Sequence, residues 1–170
     1  FSYELNFNKG FSKVVNPDLL TTSIDVSIQK KDENAVNIEI EKFNNFIKKT
    51  TNVTLKNGSF TLSPKYKYYD NKQEFIGYIG NIRYSAESKD AKELNTFMDN
   101  LISIKDSIKS DDVKLNISNV AWKISDDLQN KSFDDLRLDA IHWVEVYSKS
   151  LSTSISKNCE VTKINISETN

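Results

Sequence analysis

The stretch Ser63-Pro64-Lys65-Tyr66-Lys67-Tyr68-Tyr69, followed eight residues later by Gly77-Tyr78, constrains this chain more than any other feature. It reads as two strands joined by a polar turn, Asp70-Asn71-Lys72-Gln73. Pro64 has no N–H to give to a sheet ladder, so its strand belongs at an edge or a bulge. Ser63, just before it, is pushed toward extended geometry. Side chains alternate along a strand, which puts Tyr66 and Tyr68 on one face and Lys65 and Lys67 on the other. After the turn, Ile76, Tyr78, Ile82, Tyr84 and Ala86 share one parity. Gly80 among them marks a place where a neighbour comes close.

The rest of the chain alternates between the two periodicities. Phe1, Tyr3, Leu5 and Phe7 read as a first strand, and residues 19–30, after Asn16-Pro17-Asp18, as a second. Asp32 or Asn34 can cap a helix bearing Ala35, Ile38, Phe43, Phe46 and Ile47. Residues 53–69 form a strand interrupted by Asn57-Gly58, and residues 75–87 form the next. Asp90, three before Glu93, opens a helix with Leu94, Phe97, Met98, Leu101 and Ile102 on one face. Val113, Leu115 and Ile117 alternate on one parity, and Val120, Trp122 and Ile124 on the other; a bulge near Ser118-Asn119 reconciles them. The longest helix is predicted to start at Ser132, with Asp135 three residues on. Val161, Ile164 and Ile166 read as a last strand. The order is β-β-α-β-β-α-β-α-β. It predicts an α+β fold with an antiparallel or mixed sheet and three helices packed on one face.

This pattern resembles the SIMPL-domain family. The residues that carry the resemblance are Ser-Pro-x-Tyr-x-Tyr at 63–68, the short turn, and Gly77-Tyr78 leading into an alternating strand. Pro17-Asp18 stands before the strand at 20–28, as the family's Pro-Asp does. Arg137-Leu138-Asp139-Ala140 is similar to the family's Arg-x-x-Ala in a late helix. The likeness spans nearly the whole chain, so residues 1–170 are expected to form a single SIMPL-like domain. One departure is plain: the family's last helix is usually Ala-rich, whereas this one carries Ile141, His142, Trp143 and Tyr147. The family includes bacterial periplasmic immunogenic and oxidative-stress-defence proteins. The resemblance therefore implies a periplasmic protein whose signal peptide has been removed, an ill-defined envelope or stress role, and ring-like homo-oligomers.

Composition narrows the chemistry. With 170 residues, 38% hydrophobic and 28% charged, the chain is too apolar for disorder and long enough to bury about 70% of its unfolded surface. The net charge of −1 gives no field to steer nucleic acid or an acidic membrane. No run of 18 apolar residues exists to span a membrane. Only Arg83 and Arg137 offer the forked geometry that grips phosphate or carboxylate. His142 is the one histidine and Cys159 the one cysteine, so a Ser/His/Asp or Cys/His machine has little to draw on. The same shortage argues against a zinc site, and the Asp pattern of a calcium loop is missing. Asp111-Asp112, Asp126-Asp127 and Asp134-Asp135 stand at element starts. There they cap or solvate, and adjacent helical residues do not face the same way. Gly10, Gly58, Gly77 and Gly80 cannot assemble a phosphate loop.

No catalytic residue, metal ligand or cofactor is therefore expected. The candidate interaction surface is Pro64, Tyr66, Tyr68, Gly77 and Tyr78. Three readings follow. The first is a non-enzymatic extracytoplasmic protein acting by binding or self-association. The second is a small-ligand binder or enzyme with a site of converging tyrosines and carboxylates, drawn from Tyr66, Tyr68, Tyr78 and Tyr84. The third is a module that offers the Pro64 strand to an unknown protein partner.

Overall fold

A computed structural model describes residues 3–169. The elements are β1 (Leu19–Lys30), α1 (Glu33–Lys49), β2 (Thr54–Tyr69), β3 (Lys72–Ser88), α2 (Ala91–Ser107), β4 (Val113–Ile117), β5 (Ala121–Lys123) and α3 (Asp126–Ile155). They fall into two compact units. One runs from Asp18 to Lys123; the other joins the stretch up to Pro17 with Ile124 onward.

The Asp18–Lys123 unit is a β-α-β-β-α-β arrangement with sheet order β2-β3-β1-β4, every pair antiparallel. That is the split βαβ, ferredoxin-like topology. β4 and β5 both pair with β1. They are two pieces of one strand, broken where parity changes: the Ser118 hydroxyl accepts from Ser23 N–H at 2.8 Å, and Thr22 donates to the Ser118 carbonyl at 2.7 Å.

The core follows from alternation. Ile24, Val26 and Ile28 of β1 and Ile82 and Ala86 of β3 are buried against Val36, Ile40 and Phe43 of α1 and Leu94, Phe97 and Leu101 of α2. The two helices start where their caps dictate. Asp32 accepts from Ala35 N–H at 2.9 Å, and Asp90 accepts from Lys92 and Glu93 N–H. Gly80 lies under α1: a Cβ there would stand 2.6 Å from Val36 Cγ1 and 2.9 Å from Ile40 Cδ1. The close approach expected at this glycine is therefore a helix seated on the sheet.

In the other unit, the N-cap of α3 lies seven residues before the predicted start at Ser132. Ser125 is the N-cap, accepting from Leu128 N–H at 3.2 Å, and Asp126 and Asp127 occupy the first turn. Ser132 lies inside the helix, its hydroxyl bonded back to the Leu128 carbonyl at 2.7 Å. The end segments read as strands in the sequence but are not strands here. Phe1 lies outside the described residues, and Tyr3 to Phe7 and Val161 to Ile166 carry no strand pairing. Phe7 instead sets its ring edge-on to Trp143 and Tyr147, whose own rings stack at 4.7 Å. Lys13 pairs with Asp135 at 2.6 Å, and Arg137 with Asp134 and Glu168. Of the three helices expected on one sheet face, α1 and α2 cover it; α3 belongs to the second unit.

Phe43 is fully buried between α1 and the sheet. Replacing it with Ala should cost about 3–5 kcal/mol, read as a lower urea midpoint with an unchanged slope.

Candidate interaction surface

β1 stops at Lys30, which pairs with Tyr78. The segments Lys65–Tyr69 and Lys72–Gly77 therefore run on with strand pairing only to each other. At about 3.4 Å per residue, the five residues of β2 in this ribbon project roughly 17 Å beyond β1. The turn at its tip is shorter than the four residues expected. Asp70 and Asn71 alone form it, with φ of 45° and 58°. Two residues in left-handed conformation make the tight hairpin turn whose twist suits antiparallel strands. Lys72 and Gln73 already belong to β3.

Three rings run along one face of the ribbon. Tyr66 meets Phe75 edge-on at 5.8 Å, and Phe75 meets Tyr78 edge-on at 5.3 Å. Pro64 pairs with Tyr78 at the root of the ribbon, on the edge strand that its missing N–H requires. The other face holds Lys65, Lys67, Tyr69 and Glu74. Lys65 Nζ donates to Gln29 Oε1 at 2.6 Å, Lys67 lies over the Tyr69 ring, and Tyr69 donates to Glu74 at 2.9 Å. Solvent access is high: Tyr68 is 73% exposed, Phe75 48% and Tyr66 40%. Gly77 differs from its neighbours in being buried, at a bulge where φ is +130°. A Cβ there would come 2.3 Å from the Lys30 carbonyl oxygen. Gly77 thus serves the backbone, letting the ribbon leave the sheet across the end of β1.

The opposite end of the hairpin is held by charge. Glu87, 4% exposed, receives Lys123 from β5 at 2.9 Å and Lys56 from β2 at 3.1 Å. Burial pushes its carboxyl up, but hydrogen bonds and charge from Lys123 and Lys56 outweigh this and leave it below the ordinary glutamate range. β2 is therefore clamped near its start and free near its end.

The tyrosines do not converge on a pocket. Tyr84 sits apart from the ribbon rings, 3.5 Å from Asn44 of α1 through its hydroxyl. A shallow depression of about 500 Å³ borders Tyr68, Tyr69, Asn71, Lys72 and Gln73. Another of about 470 Å³ lies at the ribbon's root beside Gln29, Lys30 and Asp112. Asp112 there is held low by the Ser110 hydroxyl and Lys30, so its polar groups already satisfy one another. Among the described residues, no three His, Cys, Asp or Glu side chains are grouped to hold a metal. His142 is exposed on α3, and Cys159 is a free thiol whose backbone N–H binds Ser152. Sequence reasoning missed Phe75 as a member of the aromatic face, and Tyr69 as a partner of Lys67 and Glu74 on the other. The signal for Phe75 was pairing register, which the bulge at Ile76 conceals.

A family described as SIMPL, a protein of unknown function (DUF541), matches residues 11–164. The chain belongs to the SIMPL family. No curated protein matches it. Among solved structures, the designed protein Foldit4 is 13% identical, with 59% of this chain and 97% of that one covered at a TM-score of 0.35. The designed protein Ferredog-Diesel is 14% identical, with 67% and 99% covered at 0.36. An unknown protein from Galdieria sulphuraria is 10% identical, with 64% and 53% covered at 0.34. No α-helix of this SIMPL protein is long and apolar enough to cross a membrane, among the described residues.

Two stability measurements follow from this geometry. Gly77→Ala should destabilise by about 2–3 kcal/mol, because it adds a strained φ and a backbone clash, whereas Tyr68→Ala should stay within about 0.5 kcal/mol of wild type. Glu87→Gln should cost about 1–2 kcal/mol at pH 7. A lowered carboxyl stabilises the fold above the ordinary value near pH 4.5, and that contribution is lost as pH falls through the folded value. The gap between wild type and Glu87→Gln in urea unfolding should therefore narrow between pH 7 and pH 3.

Proposed function

We propose that this SIMPL protein is a non-enzymatic, extracytoplasmic protein with an envelope or stress-related role, acting by binding or self-association. The projecting aromatic ribbon is its contact surface. One observation carries this reading: Tyr66, Tyr68 and Phe75 stay exposed on a ribbon that two strands extend past the sheet. Rings of this kind supply large, rigid contact area at low entropic cost. A protein partner also fits the free edge of β2, along which a strand can add by backbone hydrogen bonds. The periplasmic setting comes from kinship with the family. Absence of enzymatic activity is part of the proposal, motivated by the scarcity of imidazole, thiol and guanidinium groups in the sequence.

Two experiments test it. A photo-crosslinking amino acid at position 68, in cells carrying the full reading frame, should give discrete protein adducts in the extracytoplasmic fraction. The double variant Tyr66→Ala, Tyr68→Ala should remove the same contact while keeping its circular dichroism. A protein retained in the cytoplasm, or crosslinks unchanged by the double variant, would falsify this assignment.

A further inference from the structure

Among the described residues of the unit containing α3 no apolar side chain is buried, and its rings gather at the surface around Trp143. Tyr147 stacks on one face of that indole, 4.7 Å away and 11° from parallel. Phe7 and Phe11 stand at steep angles to it, with ring centroids 5.8 and 6.1 Å away. Phe7 also meets Tyr147, at 5.4 Å. Phe7 is 52% exposed and Tyr147 37%, so water and solutes reach this cluster.

A cation already lies among these rings. Lys9 stands midway between Phe7 and Phe11 in the chain, and its Nζ is 5.6 Å from the Trp143 ring centroid. Lys157 lies over Tyr3 and Lys67 over Tyr69, but among the described residues those two rings stand apart from other rings. Trp143 alone joins a cation to three further rings. The hold on Lys9 is weak. Its ammonium is strongly hydrated, the contact is near the outer limit of such attraction, and among the described residues no carboxylate pairs with it. A quaternary ammonium carries the same charge with no N–H to hydrate, and its methyl groups pack on ring faces. Clustered aromatic rings are the usual physical solution for holding such a group.

We propose that Phe7, Phe11, Trp143 and Tyr147 form a binding seat for the trimethylammonium end of a small zwitterion, with Lys9 as its resident occupant. On binding, the methylated nitrogen takes the indole face, and Lys9 swings out to pair with the carboxylate or phosphate of the ligand. The chain thereby answers both charges of such a molecule, and no covalent bond is made or broken. Lys13, further along the same segment, cannot take this part, because it is paired with Asp135 at 2.6 Å. The seat is separate from the ribbon and does not rest on the ribbon's being a contact surface.

NMR titration of the full chain with glycine betaine and with tetramethylammonium, against sodium chloride at equal ionic strength, tests this. Both ligands should give saturable shifts at residues 7–11 and 143–147, with dissociation constants on the order of millimolar and betaine the tighter. Lys9→Ala should tighten tetramethylammonium about two- to fivefold, the worth of an exposed cation–π contact, and abolish the preference for betaine. Lys13→Ala, which frees the same segment from Asp135, should do neither. Trp143→Leu should abolish binding; 5-fluorotryptophan, which drains the ring face without changing its shape, should weaken binding with circular dichroism unchanged. Phosphatidylcholine vesicles that sediment the protein, where phosphatidylethanolamine vesicles do not, assign the ligand to a lipid headgroup; betaine shifts without such sedimentation assign it to a free solute. Absence of saturable shifts overturns the proposal, as does an affinity indifferent to fluorination. Equal tightening by Lys9→Ala and Lys13→Ala overturns the role of Lys9. None of these results bears on the crosslinking at Tyr68, so the two readings fail separately.

Discussion

Where β1 begins and ends decides most of what this chain presents to its surroundings. It pairs with β3 along one side from Leu20 to Lys30, and with β4 and β5 along the other. Its even-numbered residues from Ile24 to Ile28 are almost fully buried, because helices α1 and α2 both close over that face. A central strand of 12 residues cannot support the 17-residue β3, with the 16-residue β2 beyond it, along its whole length. The excess leaves the sheet as a ribbon, and the exit is permitted by one glycine at φ +130° beside the end of β1.

The elements that were legible in the sequence share a cause. β1, the two halves of the broken strand, and helices α1 and α2 each bury one face in this unit, so periodicity reports their geometry directly. Their starts were legible too, since Asp32 and Asp90 satisfy helix N–H groups from a fixed position. The Asn57-Gly58 interruption appears as a bulge with Asn57 at φ 56°. These signals are local, and nothing distant competes with them.

Where periodicity and structure part, burial is missing. Tyr3, Leu5, Phe7, Val161, Ile164 and Ile166 alternate as strand residues do, yet no strand pairs with them and all are exposed. Alternation expresses a preference that only a neighbouring strand can realise. The start of α3 departs from its sequence pattern for a different reason. Ser132-x-x-Asp135 and Ser125-x-x-Leu128 are both acceptable openings, and the choice falls to Ser125 because Asp126 and Asp127 then occupy the first turn, where their charge favours the exposed N–H groups. The ribbon was legible as a hairpin, but its ring contacts were not. One extra residue in β3 at Ile76 brings Phe75, rather than its even-numbered neighbours, onto the Tyr66 and Tyr78 face.

The ribbon also separates stiffness from recognition. A two-stranded hairpin alone is marginal in water, so it must stabilise itself through side chains. Tyr66, Phe75 and Tyr78 do this by edge contacts, and Tyr69 does it through Glu74 and Lys67. Each of these rings is therefore partly engaged within the chain. Tyr68 differs: among the described residues it makes no ring contact, and it is the most exposed of the ribbon's aromatics. Nothing in the ribbon's own stability accounts for a large apolar ring there. Position 68 is therefore where a substitution should cost the fold least, and where the proposed contact can be tested apart from stability.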